Sequence, residues 1–176
     1  MKKENTCCFT GPRPKRLPCF GDPAAPEMKK LRSLLRDAIL SAYQDGYRFF
    51  MSGMAEGFDL MAAEEVLSLK EELRDIALIA VFPYAGAAAH HAEAIQRQIR
   101  DILSRADFSV SLRDDYTTGC EFQRNIYMVD SSFRVIGYYT GLSRGTAHCW
   151  NYALQKHLEM INLFEGEPYE RNEQPH

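Results

Sequence analysis

Short, nearly continuous apolar runs alternate along this chain with longer segments whose apolar residues recur at helical spacing. Six runs read as strands, at positions 6–11, 48–52, 76–82, 108–112, 134–139 and 160–164. Between them, segments 27–45, 58–73, 87–106, 122–131 and 147–157 read as helices. In the first of these, Leu31, Leu34, Leu35, Ala38, Ile39 and Ala42 fall on one face, and Gly46 follows as a C-cap. Ile95, Ile99, Ile102 and Leu103 do the same in the third, and Ala147, Trp150 and Leu154 point inward in the last. The run 76–82 has no polar face, as expected of a strand covered by helices on both sides. Strands alternating with helices imply a parallel α/β sheet with right-handed crossovers.

Three of the runs break at a glycine-bearing turn and then enter a helical pattern or a long loop. These turns are Thr10-Gly11, Ser52-Gly53 and the stretch from Gly141 to Gly145-Thr146. A strand, a glycine turn and a helix start form an anion site, because backbone N–H groups point outward and the helix dipole favours negative charge. Three such turns suggest one crevice at the strand ends for a phosphate-bearing ligand.

Each turn carries candidate side chains. After Gly11 comes a loop with five prolines and the cations Arg13, Lys15 and Arg16. Arg13 stands between Pro12 and Pro14, which restrain its backbone, so it reads either as a bidentate phosphate ligand or as part of a solvated basic loop. In the second turn, Gly53 and Gly57 permit close approach or positive φ. Asp59 there either hydrogen-bonds a ribose hydroxyl or complements the helix dipole. In the third turn, Gly145 and Thr146 direct N–H groups and a hydroxyl at an anion that Arg144 neutralises; the alternative is a tight turn with Thr146 as N-cap. Arg124 and Asn125 are polar at a helix start within a ligand's reach, and Tyr116 and Tyr127 are candidates for stacking on a base. His90 and His91 are adjacent, which makes a poor metal pair on a helix, so no metal site is assigned. Neither a Walker A loop nor G-x-G-x-x-G is present, which disfavours a P-loop enzyme or a dinucleotide oxidoreductase.

Composition narrows the classes further. The chain has 176 residues, 45% hydrophobic and 26% charged, as expected of a single globular domain at 1–164 with a polar tail at 165–176. A net charge of −3 disfavours a general nucleic-acid binder. No apolar stretch approaches the roughly 18 residues of a membrane span, and the opening MKKENTCCFTG has no long apolar region of a secretory signal. Five cysteines without C-x-x-C spacing argue against a disulfide framework or a zinc site, so the expectation is a reduced, cytoplasmic protein.

Four motifs in order resemble the YpsA-like family of the SLOG superfamily, over about 6–164. CCFTGPRPKRL is similar to that family's C-x-F-T-G-H-R-P, and SGMAEGFDLMAAEEVLSLK to its G-x-x-x-G-x-D-x-x-A-A-E-x-V. CEFQRNIYMVDSS is similar to R-N-x-x-M-V-D, and SRGTAHCWNYA to a G-G-T turn with its helix. The chain departs from the pattern at Pro12, where the family has histidine, and at Arg144, where it has glycine. The resemblance implies a three-layer Rossmann-like domain that binds a nucleotide or a nucleotide-derived ligand, ADP-ribose type included, as a sensor or regulatory module. It also implies a homodimer. Related phosphoribohydrolases carry a catalytic glutamate after G-T; Cys149 occupies that position here, which argues against an enzyme of that kind. An N-glycosidic hydrolase using Asp59 or Glu56, and a single-stranded nucleic-acid binder similar to DNA-processing protein A, remain as alternatives.

Overall fold

In the computed structural model, which describes residues 1–169, all six apolar runs become strands of one parallel sheet. The elements are β1 (Thr6–Thr10), α1 (Pro26–Gln44), β2 (Phe49–Ser52), α2 (Phe58–Leu69), β3 (Ala77–Phe82) and α3 (Glu93–Arg105). They continue with β4 (Phe108–Ser111), α4 (Cys120–Asp130), β5 (Arg134–Gly137), α5 (Arg144–Gln155) and β6 (Glu159–Asn162). The spatial order is β4-β3-β2-β1-β5-β6, with every pairing parallel.

The period-2 alternation of strand side chains divides the core into two layers. Cys7 and Phe9 of β1, Phe50 of β2 and Ile136 of β5 face one cluster, built with α1, α2 and α3. Cys8, Met51 and Val135 face the other, built with α4 and α5. The first three crossovers carry the chain from β1 outward to β4. The chain then returns past β1 to β5, and the covering helices change face, as right-handed crossovers require. The order therefore reverses between β1 and β5, which is where an open α/β sheet offers a crevice at its strand ends. The two strands are close there: a Cβ at Gly137 would lie 2.7 Å from the Thr10 carbonyl and 2.9 Å from the Trp150 ring.

Several boundaries differ from the sequence expectation. The helix expected over 87–106 is a 3₁₀ turn at Ala87–His90 followed by α3, because His91 adopts an extended conformation between them. His90 and His91 therefore lie outside α3. The last helix begins at Arg144, three residues earlier than expected, and its cap is Ser143 rather than Thr146. Its buried face is Thr146, Cys149, Trp150 and Ala153, so Trp150 is inward as expected while Leu154 is half exposed. Helix α2 stops at Leu69, and β6 is Glu159–Asn162 rather than 160–164. Of the expected polar tail, 165–169 folds back, with Tyr169 N–H donating to the Thr140 carbonyl at 2.9 Å and Glu165 paired with Lys30. Positions 170–176 lie outside the described residues.

Candidate functional site

The loop after β1 and the turn after β2 are locked together. Phe58 N–H donates to the Pro12 carbonyl at 3.2 Å. A side chain on Gly11 would run into the Phe58 ring, and a Cβ on Gly57, at φ +102°, would lie 2.6 Å from the Pro12 carbonyl. Pro12, where the family has histidine, is buried in this contact. The close approaches at Gly11 and Gly57 are thus made by the protein's own atoms. Gly53 is similar: a Cβ there would lie 2.7 Å from an Asp59 carboxylate oxygen and 2.9 Å from the Arg124 guanidinium carbon. Among the glycines expected at the site, Gly145 alone has open space around its Cα. Gly141, at φ +84°, is instead covered by the Tyr169 backbone.

Asp59 projects from the first turn of α2 and is 6% exposed. Burial raises its pKa above the ordinary carboxylate value, against the pull of Arg124, Arg13 and an Ala55 N–H. Arg124 reaches across from α4, donating to the Gly53 carbonyl at 2.6 Å and to Asn125 Oδ1 at 3.1 and 3.3 Å. Three of its five N–H donors are engaged this way, which leaves the rest of the fork for a ligand. Asn125 in turn donates to the Gly145 carbonyl at 3.4 Å, linking α4 to the start of α5. Ser143 caps α5: its Oγ accepts from the Thr146 hydroxyl at 3.0 Å and, more weakly, from Thr146 N–H at 3.5 Å. The first-turn N–H groups of α5 have no partner within the helix.

These residues enclose a cleft of about 200 Å³ over the β1/β5 reversal. Thr10, Gly11, Arg13, Asp59, Arg124, Asn125, Gly145 and Thr146 line it. Gly53 lines an adjoining compartment of about 140 Å³, which shares Arg13, Ala55, Glu121 and Arg124 with the first. Gly57 lines a separate groove of about 520 Å³ beneath the proline-rich loop. Arg144 is exposed, with its guanidinium 6.0 Å from the Phe122 ring, and it lines neither compartment. Gly141 likewise lies outside both.

Sequence reasoning missed Glu121, Phe122 and Ser143 as lining residues. Glu121 forms a 3.6 Å ion pair with Arg13, about half exposed on both sides. The signal was available, since Glu121, Arg124 and Asn125 stand at i, i+3 and i+4 on one face of α4. Cys149, at the position of the phosphoribohydrolase glutamate, is 1% exposed, and burial pushes its thiol up to about 11. It is neither a carboxylate nor a thiolate at neutral pH.

A six-stranded parallel sheet whose order reverses above a polar, glycine-edged cleft defines a Rossmann-like α/β domain. The model of the YpsA family (YspA SLOG family) matches residues 7–163, and the chain belongs to that family. The UPF0398 protein SERP1017 of Staphylococcus epidermidis is 24% identical over 159 residues, covering 89% of this chain and 84% of that protein. Among solved structures, DNA processing protein A of Streptococcus pneumoniae superposes with a TM-score of 0.56 at 13% identity over 90% of the chain. The Helicobacter pylori counterpart, described for its single-stranded DNA binding mode, gives 0.58 at 18% identity over 88%. The chain spans half the length of the first structure and 63% of the second, and at these identities the likeness is one of fold.

Proposed function

We infer that this protein binds a nucleotide or a nucleotide-derived phosphorylated ligand in the cleft over the β1/β5 reversal, as a sensing or regulatory module. The observation that carries this reading is the convergence, in one cleft of about 200 Å³, of Arg13, Arg124, Asn125 and the Gly145-Thr146 start of α5. Arginine forks and helix N–H groups suit a phosphate; buried Asp59 suits a hydroxyl donor such as a ribose. Gly145 leaves room for the ligand's approach. Arg13 lies 3.6 Å from Glu121, so that carboxylate competes with a phosphate for its guanidinium.

Thermal-shift and calorimetric titration against AMP, ATP, NAD, ADP-ribose and cyclic nucleotides tests this. At least one should stabilise the protein, by about 2.7 kcal/mol at a hundredfold excess over its Kd. Arg13→Ala should weaken that ligand by about 1.5–3 kcal/mol, the value of a charge-assisted hydrogen bond. Equal affinity in the variant removes Arg13 from the site, and no shift with any nucleotide removes the reading.

The fold shared with DNA processing protein A supports a second reading, a single-stranded nucleic-acid binder. Arg13, Lys15 and Arg16 would then track a backbone. Oligo-dT in the same titrations separates the two readings.

A further inference from the structure

We propose that the adjoining compartment beyond Arg13 and Arg124 is a nucleobase subsite, so that one ligand spans both compartments with its phosphate in the first and its base in the second. This rests on the phosphate reading of the first cleft. Neither compartment, at about 200 and 140 Å³, reaches the roughly 300 Å³ at which ligand pockets ordinarily begin; joined, they do. They meet at Arg13, Ala55, Glu121 and Arg124, which line both. Arg124 therefore stands at the junction, beside the point where the ribose linking base to phosphate would pass.

The chemistry of the second compartment differs from that of the first. Its walls include the rings of Tyr84, His90 and His91, flat groups suited to a π-face, beside the apolar Pro83. Tyr84 is already ordered by ring contacts, edge-on to Tyr116 at 5.6 Å and tilted to His90 at 6.2 Å. The turn carrying these rings is anchored by hydrogen bonds from two directions. Ala85 N–H donates to the Arg113 carbonyl at 2.8 Å, at the end of β4. Gln96 of α3 donates to the His91 carbonyl at 2.8 Å and to that of Ala89 at 3.2 Å. His91 Nδ1 lies 3.9 Å from Glu56, in the turn after β2. A ring wall fixed before the ligand arrives loses little entropy on binding.

Wild type, Tyr84→Ala and Tyr84→Phe would be titrated with AMP and ATP, and with the base-free ribose 5-phosphate and pyrophosphate. Wild type should bind the nucleotides more tightly than their base-free counterparts. Tyr84→Ala should weaken the nucleotides about tenfold, as expected for loss of a stacking ring, and leave the base-free probes unchanged. Tyr84→Phe, which keeps the ring, should restore nucleotide affinity. The melting temperature of each variant checks that it is folded. Nucleotide affinity unchanged in Tyr84→Ala, or lost equally for the base-free probes, overturns the base subsite while the phosphate cleft stands. A wild type that binds none of the four overturns the base subsite, and the phosphate cleft falls with it only where NAD, ADP-ribose and cyclic nucleotides fail as well.

Discussion

Asp59 concentrates the conflict at the residue scale. It is a buried carboxylate whose desolvation outweighs two nearby arginines, so its folded pKa lies above the unfolded value of about 3.9. Between those two values the folded state holds more protons than the unfolded one, so stability falls as pH rises across the window. Asp59→Asn removes that loss and keeps an acceptor for the Ala55 N–H. Melting curves from pH 4 to 8 should therefore show the variant at or above wild type near neutrality, with the gap narrowing toward pH 4. A variant that melts lower at pH 7 and converges in acid would mean that the attraction of Arg124 and Arg13 is the larger effect. The aspartate itself was visible in the sequence, in a glycine-flanked turn before a helix. Its burial was not, because that depends on Arg124, sixty-five positions further along the chain.

At the scale of elements, the four inner strands were legible because strands covered on both faces read as apolar runs, while the edge strands β4 and β6 are largely exposed and were read from alternation with the helices. The start of α5 was not legible. Gly145 looks like a turn residue, yet it sits in the second helical position, placed there by the Ser143 cap. The 3₁₀ break before α3 was hidden for the opposite reason: Ala87, Ala88 and Ala89 favour helix, while extended His91 interrupts it. The glycines also divide by element in a way that composition cannot show. Gly11 faces the Phe58 ring, whereas Gly145 faces open space. Gly11→Ala should destabilise by about 1–3 kcal/mol through overpacking. Gly145→Ala should leave stability unchanged or raise it by up to about 1 kcal/mol, as a helical Gly→Ala change does, yet weaken nucleotide binding. Denaturant melts and calorimetry on both variants check this. Full nucleotide affinity in Gly145→Ala would place the ligand away from the α5 terminus.

At the scale of the whole molecule, the question is whether the cleft serves a small ligand or a strand of nucleic acid. The chain carries a net charge of −3, and the arginine at the mouth of the cleft is already paired with Glu121. Of the further cations nearby, Arg144 leans toward Phe122 instead of lining the cleft. A single strand needs a basic track long enough for several phosphates, and each neutralised phosphate contributes about −0.7 to the slope of log affinity against log salt. A mononucleotide offers one phosphate group to Arg13 and Arg124 and gives a shallow slope. Titration of AMP and of oligo-dT between 50 and 200 mM salt should show nucleotide binding that changes little and oligo-dT that fails to compete even at the lower salt. Replacing Glu121 with Gln should then tighten the nucleotide, by releasing Arg13, without creating oligo-dT binding. A steep slope with effective competition by oligo-dT would mean that the exposed cations of the proline-rich loop act together as a track. The phosphates would then be held by the loop rather than by the two arginines and helix terminus of the sheet-end cleft.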